Sequence, residues 1–267
     1  MLRDITLGQY YRTESIIHKL DPRVKIIGTF VFLVAIFMVN NAIGYAIAGL
    51  FLVMNIKLSN VPVKFIFRGM RSIFLLLMIS VLFNLFLTPG DPIFTVWKIK
   101  VTKEGLKLAA KMAVRLVFLI TGSSLMTLTT TPNNLTDGLE SILKPLKLVH
   151  VPVHEISMMM SIALRFIPIL LEETDKIMKA QMARCADFES GSIINRAKNM
   201  VPLLVPLFIS AFRRAMDLAM AMEARCYRGG EGRTKMKPLV YHKEDKVAYV
   251  VLVLFLIICV AVGRMKF

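Results

Sequence analysis

Two arginines stand in the same short context, forty-one residues apart. Ala180-Gln181-Met182-Ala183-Arg184-Cys185 and Ala221-Met222-Glu223-Ala224-Arg225-Cys226 share the pattern A-x-x-A-R-C. A guanidinium presents its donors as a rigid fork that can grip a carboxylate through two parallel hydrogen bonds, and alanine beside it keeps a helix end slim enough to enter a groove. A single arginine in the last turn of a helix is explained by the helix dipole alone, at a few tenths to about 1 kcal/mol. Two copies that also share their small flanking residues point further, to equivalent docking tips: Ala183, Arg184 and Cys185 form one, Ala224, Arg225 and Cys226 the other. Equivalent tips call for two similar sockets, hence a dimeric or pseudodimeric partner.

Other reactive residue types form no constellation. The three cysteines, Cys185, Cys226 and Cys259, make no disulfide framework, and none has Cys or His neighbours at metal-ligand spacing. His150 and His154 are four apart, but Pro152 lies between them and no third ligand is near. No Ser-His pair, Asp-Asp pair or H-E-x-x-H sits in an apolar stretch, so neither catalysis nor a metal is expected. None of the 14 glycines precedes a lysine, so the phosphate loop G-x-x-x-x-G-K-[ST] is absent and nucleotide would have to be bound by a partner. The 18 methionines, clustered at Met158-Met159-Met160 and at Met216, Met220 and Met222, read as pliable filler where helices slide, not as metal ligands.

Each tip ends an amphipathic helix. Ile162, Phe166, Ile169, Glu173, Ile177, Ala180 and Arg184 step by three or four, as do Phe208, Phe212, Ala215, Ala219, Met222 and Arg225. The first stretch, 151–188, is expected to break at Pro168 and the second, 192–225, at Pro202 and Pro206. Glycines follow both copies, Gly191 and Gly229-Gly230, as stop signals. Such helices are expected to lie L-shaped under a bilayer, with a short re-entrant pair as the alternative.

The rest of the chain is built for lipid. The sequence has 267 residues, is 56% hydrophobic, and carries 34 Lys and Arg against 18 Asp and Glu, a formal +16. A water-soluble enzyme is excluded by the apolar content. A nucleic-acid binder is disfavoured because the cations lie between long uncharged runs and not on one basic face of a polar body. From Ile26 to Ile56 no residue is charged. As one helix that run would reach about 46 Å against roughly 30 Å of hydrocarbon, so a hairpin turning at Asn40-Asn41 is expected. Five spans result: Val24–Val39, Ala42–Leu58, Ser72–Thr88, Leu108–Thr130 and Val247–Gly263, with Lys25 and Lys57 snorkelling at the ends. The organisation is then membrane helices over 1–130, a coupling domain over 131–246 and a last span over 247–267.

Arg3, Arg12, Lys19, Arg23 and Lys25, then Lys57, Lys64, Arg68 and Arg71, place the N-terminus and the loop after the second span in the cytoplasm. Lys98, Lys100 and Lys103 run against that rule in a loop expected outside. The alternation Val96-Trp97-Lys98-Ile99-Lys100-Val101 suggests a short extended segment at the interface. Lys111 and Arg115, in or beside the fourth span, should face other helices or the interface. A rival function, a self-sufficient secondary transporter, would use one of them for an anionic substrate, but the visible repeat lies in the polar block and not in the spans.

Several longer motifs accompany the tips: Gly8-Gln9-Tyr10, Ser15 through Lys25 (SIIHKLDPRVK), Thr129-Thr130-Thr131-Pro132, Leu164-Arg165-Phe166-Ile167-Pro168, and Tyr227-Arg228-Gly229-Gly230 after the second copy. With these the chain resembles, over nearly its whole length, the transmembrane T-subunit of energy-coupling factor (ECF) transporters, the ABC-type vitamin importers of prokaryotes. It departs from a common form of the first docking motif in having Cys185 where glycine stands, which puts the local helix ending in question. The resemblance implies an all-α polytopic membrane protein with a cytoplasmic coupling domain, in a prokaryotic cell membrane and with the C-terminus outside. It implies no catalysis and no cofactor in this chain, ATP and Mg being bound by two partner ABC ATPase subunits whose grooves receive Arg184 and Arg225. A separate membrane S-component would capture the vitamin, and Pro168, Pro202 and Pro206 would shape the bends of the coupling helices. A cobalt- or nickel-dedicated relative is the alternative within the family.

Overall fold

A computed structural model describes residues 10–66, 74–89, 92–96, 99–188, 192–230, 236 and 238–264. Arg3, Gly8-Gln9, Arg68, Arg71, Ser72, Trp97-Lys98 and Gly191, which entered the sequence reading, lie outside the described residues. In chain order the elements are α1 (Ile16–Lys19), α2 (Pro22–Met38), α3 (Ala42–Ser59), α4 (Phe74–Leu87), β1 (Pro92–Val96), β2 (Ile99–Thr102), α5 (Lys103–Thr129), α6 (Pro132–Leu143), α7 (Val153–Ala183), α8 (Ile193–Ala224) and α9 (Lys243–Arg264). The protein is an all-α polytopic membrane protein with one short antiparallel hairpin, β1 against β2, where the alternating Val96–Val101 run predicts extended chain. Among the described residues four helices are long and apolar enough to cross a membrane: α3, α5, α7 and α9. Three of these match expected spans, whereas α2 has 17 residues, α4 has 14, and α7 is a stretch the sequence reading assigned to the coupling domain.

The chain divides into two compact units. One comprises Gly8–Ile142 with Leu239–Phe267, the other Leu143–Pro238. Helix α6 belongs to the first because it packs on the start of α2. A Cβ on its Gly138 would stand 2.9 Å from Ile26 and 3.0 Å from Pro22.

In the first unit the expected hairpin is present, with α2 ending at Met38 and α3 starting at Ala42. The core lies between α2, α3 and α9: Phe32, Ile36, Val39, Ala48 and Leu52 bury against Phe255 and Cys259. The Phe51 and Phe255 rings stack with centroids 4.2 Å apart. Helix α5 approaches α2 closely at Gly122, where a Cβ would come within 2.6 Å of the Phe32 ring.

Arg115 faces its neighbours, as the cost of an ionised group in lipid requires. Its guanidinium donates to Tyr45 Oη at 3.2 Å, Asn40 Oδ1 at 3.3 Å and the Val39 carbonyl at 3.4 Å, closing the C-terminal end of α2. Those bonds give it a structural task at the hairpin tip, which weakens its claim as an anion site.

The motif Ser15–Lys25 builds a polar knot at the other end of α2. Ser15 caps α1 by accepting from the His18 N–H, and Ser15 Oγ lies 2.7 Å from His18 Nδ1. His18 Nε2 lies 3.1 Å from the Tyr11 carbonyl, so a neutral ring donating to that carbonyl and accepting from Ser15 satisfies both contacts. Burial lowers His18 below the usual histidine range, and the nearby Lys25 charge adds to the effect. Lys25 does not snorkel: it is buried, and its ammonium donates to the carbonyls of His18 at 3.1 Å and Thr129 at 2.9 Å. The reason is that α1 and α5 end there, leaving carbonyls without helical partners that a lysine can satisfy.

The last helix joins the same knot. Asp245, 1% exposed, accepts the Asp21 N–H on Oδ1 and the His242 N–H on Oδ2, both at 2.8 Å. One carboxylate thereby takes orphan donors at the starts of α2 and α9. Asp21 in turn pairs with Arg23 at 2.8 Å, and Arg23 lies 3.7 Å over the Tyr241 ring. Burial pushes the Asp21 carboxyl up, but hydrogen bonds from Arg23 and its charge bring it below the usual carboxylate value.

Candidate functional site

The second unit carries both A-x-x-A-R-C copies, at the ends of α7 and α8. The prolines expected to interrupt these helices lie inside them, Pro168 in α7 and Pro202 and Pro206 in α8, and both helices run on past them. Each proline lacks the N–H that would bond the carbonyl four residues earlier. For Pro206 that carbonyl is Pro202 O, and Gln181 Nε2, from within the first copy of the pattern, donates to it at 3.4 Å.

Both helices end in the same way. Arg184 is the last half-helical residue of α7. After it Cys185 takes a left-handed conformation at φ 61°, its N–H bonds Met182 O at 3.0 Å, and the Ala186 N–H bonds Gln181 O at 3.0 Å. Arg225 holds the same place in α8. There Cys226 has φ 55°, its N–H bonds Glu223 O at 2.8 Å, and the Tyr227 N–H bonds Met222 O at 3.0 Å. These are two Schellman caps in identical register. The helix stop is therefore set by cysteine, not by the glycines that follow. Cys185 adopts the backbone that glycine would favour, which answers the question the departure raised. Gly229, at φ 91°, and Gly230 serve a later bend; a Cβ on Gly230 would collide with the His154 ring.

The caps leave the tips presented outward. Ala183, Arg184, Cys185, Ala224, Arg225 and Cys226 are all exposed. Among the described residues neither Arg184 nor Arg225 has a hydrogen bond or ion pair from its guanidinium. Both stand at capped helix ends, exposed and without a described partner.

Sequence reasoning missed the residues that join the two arms. Glu173 Oε2 accepts from Arg214 Nη2 at 3.3 Å, and these positions are themselves forty-one residues apart, the period of the tips. That offset was the available signal: Glu173 lies eleven residues before Arg184, and Arg214 eleven before Arg225. Asn199 Nδ2 adds a bond to Asp187 O at 2.7 Å, tying the start of α8 to the loop after the first tip. Among the described residues no group of three or more His, Cys, Asp or Glu could hold a metal ion.

Long apolar helices, charges withdrawn into knots at helix ends, and a helical unit with duplicated exposed arginines define the class: a multi-pass membrane subunit. The chain matches the family described as Cobalt transport protein, CbiQ, over residues 13–236. It is 54% identical over 265 residues to the energy-coupling factor transporter transmembrane protein EcfT of Clostridium kluyveri, covering 98% of this chain and 97% of that one. It is 53% identical to the EcfT of Acidaminococcus fermentans over 97% of each chain. To that of Bacillus subtilis it is 48% identical, over 95% of this chain and 96% of the relative. The chain belongs to this family of transporter transmembrane proteins.

Proposed function

We propose that this chain is the coupling subunit of an ECF-type importer and that Arg184 and Arg225 are its two docking points for a pair of ABC ATPase subunits. The observation that carries the proposal is the duplication: two arginines in identical caps, open to partners, on helices bonded to each other at repeat-equivalent positions. A pair of related nucleotide-binding subunits offers two sockets of the same shape, and each socket would meet its guanidinium with a carboxylate.

In this reading ATP and Mg are bound by the ATPases, and closing of the pair moves the tips. Pro168, Pro202 and Pro206, where the helical ladder lacks donors, are the places at which the arms flex. The membrane helices hold an S-component that captures a vitamin, and motion of the arms reorients it. The N-terminus and the coupling helices are cytoplasmic and the C-terminus is outside. This chain itself carries out no catalysis. The names of the nearly full-length relatives support an energy-coupling factor role, whereas the family description leaves cobalt as the competing cargo.

Affinity purification of the tagged chain from native membranes tests the proposal. Two ABC ATPases and a small membrane protein are expected in the eluate. A chain that transports in proteoliposomes without any ATPase would overturn it.

A further inference from the structure

At one end of the membrane unit two cavities lie side by side. The first, about 290 Å³, is lined mostly by apolar residues of α1, α2, α3, α5 and α9, with Lys25, Asn55 and Glu244 among them. Met54, Val247 and Val251, which line it, are exposed. The second, about 420 Å³, is polar, and it shares Ile16, Leu58 and Glu244 with the first. Its charged lining is balanced: Lys19 and Lys57 against Glu14 and Glu244. Among the described residues none of these four side chains makes an ion pair.

We propose that the joined cavities form a binding site for one zwitterionic phospholipid bearing a phosphoethanolamine head, with an acyl chain in the apolar chamber and the head in the polar one. The first chamber, lined mostly by hydrophobic side chains in a chain that lies in a bilayer, suits a hydrocarbon tail, and the Lys25 ammonium on its wall is already held by the His18 and Thr129 carbonyls. The polar chamber has both signs of charge and no net charge. An anionic head would gain at the lysines what it lost at the glutamates. A phosphate beside Lys19 and Lys57 with a primary ammonium beside Glu14 and Glu244 satisfies both pairs. A choline head carries the same charges but no N–H, so it cannot donate to the glutamates. The inference requires only that the chain sits in a membrane and is independent of which partners it couples.

The test equilibrates the purified full chain with phosphatidylcholine vesicles containing either phosphatidylethanolamine or phosphatidylglycerol, re-extracts it gently, and quantifies retained phospholipid by mass spectrometry. Phosphatidylethanolamine is expected to be enriched over its share of the vesicle by about threefold or more, the effect of one or two exposed charge pairs. Glu14→Gln with Glu244→Gln should erase that preference while leaving some lipid bound. Ala248→Phe, which fills the apolar chamber, should abolish retention with the melting temperature kept; if it misfolds, Val251→Phe serves in its place. Preference for phosphatidylglycerol, equal retention of all three lipids, enrichment that survives the filling variants, or protection by inorganic phosphate alone would each overturn the proposal.

Discussion

Reversing the charge of both tips isolates what they do. Arg184→Glu and Arg225→Glu change exposed residues that have no bonded partner among the described residues, so the chain's own stability should move little. Placing an anion at a helix C-terminus costs roughly 0.3–1 kcal/mol per site. Association is a different matter. Truncating one partner of a desolvated charge pair costs about 2–5 kcal/mol, so each reversal should weaken ATPase binding about 30-fold to several thousandfold. The two tips lie eleven residues beyond the Glu173–Arg214 contact, about 16 Å along each arm at the usual helical rise, and share no partner. Their effects on affinity should therefore multiply. The assay immobilises the detergent-solubilised chain and titrates purified ATPases over wild type, both single variants and the double variant, with melting temperature followed in parallel. An unchanged dissociation constant in the double variant, at an unchanged melting temperature, would refute the docking argument.

Three other outcomes follow from the fold. Cys185→Gly and Cys226→Gly relieve a left-handed backbone that costs a non-glycine residue roughly 1–2 kcal/mol, partly offset by the added freedom of glycine in the unfolded chain. Each should raise the melting temperature slightly; a fall would show that the thiols carry contacts of their own. Gly122→Leu places a side chain where the Phe32 ring already lies and should cost about 1–3 kcal/mol, read as a lower melting temperature than that of Ser123→Leu, whose site is exposed. Because the folded state lowers the His18 pKa, the unfolded chain binds more protons near pH 6 and stability rises with pH there. Acidifying from above about pH 6.5 should lower the melting temperature, and His18→Gln should flatten that part of the profile.

The membrane helices were legible because their signals are local: an uncharged run too long for one span and a pair of asparagines at its middle. The tips were legible because they occur twice. What stayed hidden is pairing at a distance. Nothing near Lys25 announces the Thr129 carbonyl it bonds, 104 residues away, so snorkelling was the natural expectation. Asp245 meets Asp21 across 224 residues, and the only local hint was its place three residues after His242, that of a capping acid. The prolines misled for a physical reason: in α8 a side chain of α7 supplies a donor to one of the freed carbonyls, and the helix continues. Glycine as a stop signal misled because a Schellman turn needs a backbone conformation, which cysteine adopts here at both ends.

The bond between Glu173 and Arg214 has a geometric corollary. Repeat-equivalent positions meet there, so each tip lies the same eleven residues beyond one shared contact. The bonds from Gln181 to the Pro202 carbonyl and from Asn199 to the Asp187 carbonyl fasten the same two arms at further points, and in the coupling role proposed above a displacement of one tip would be carried to the other arm through all three.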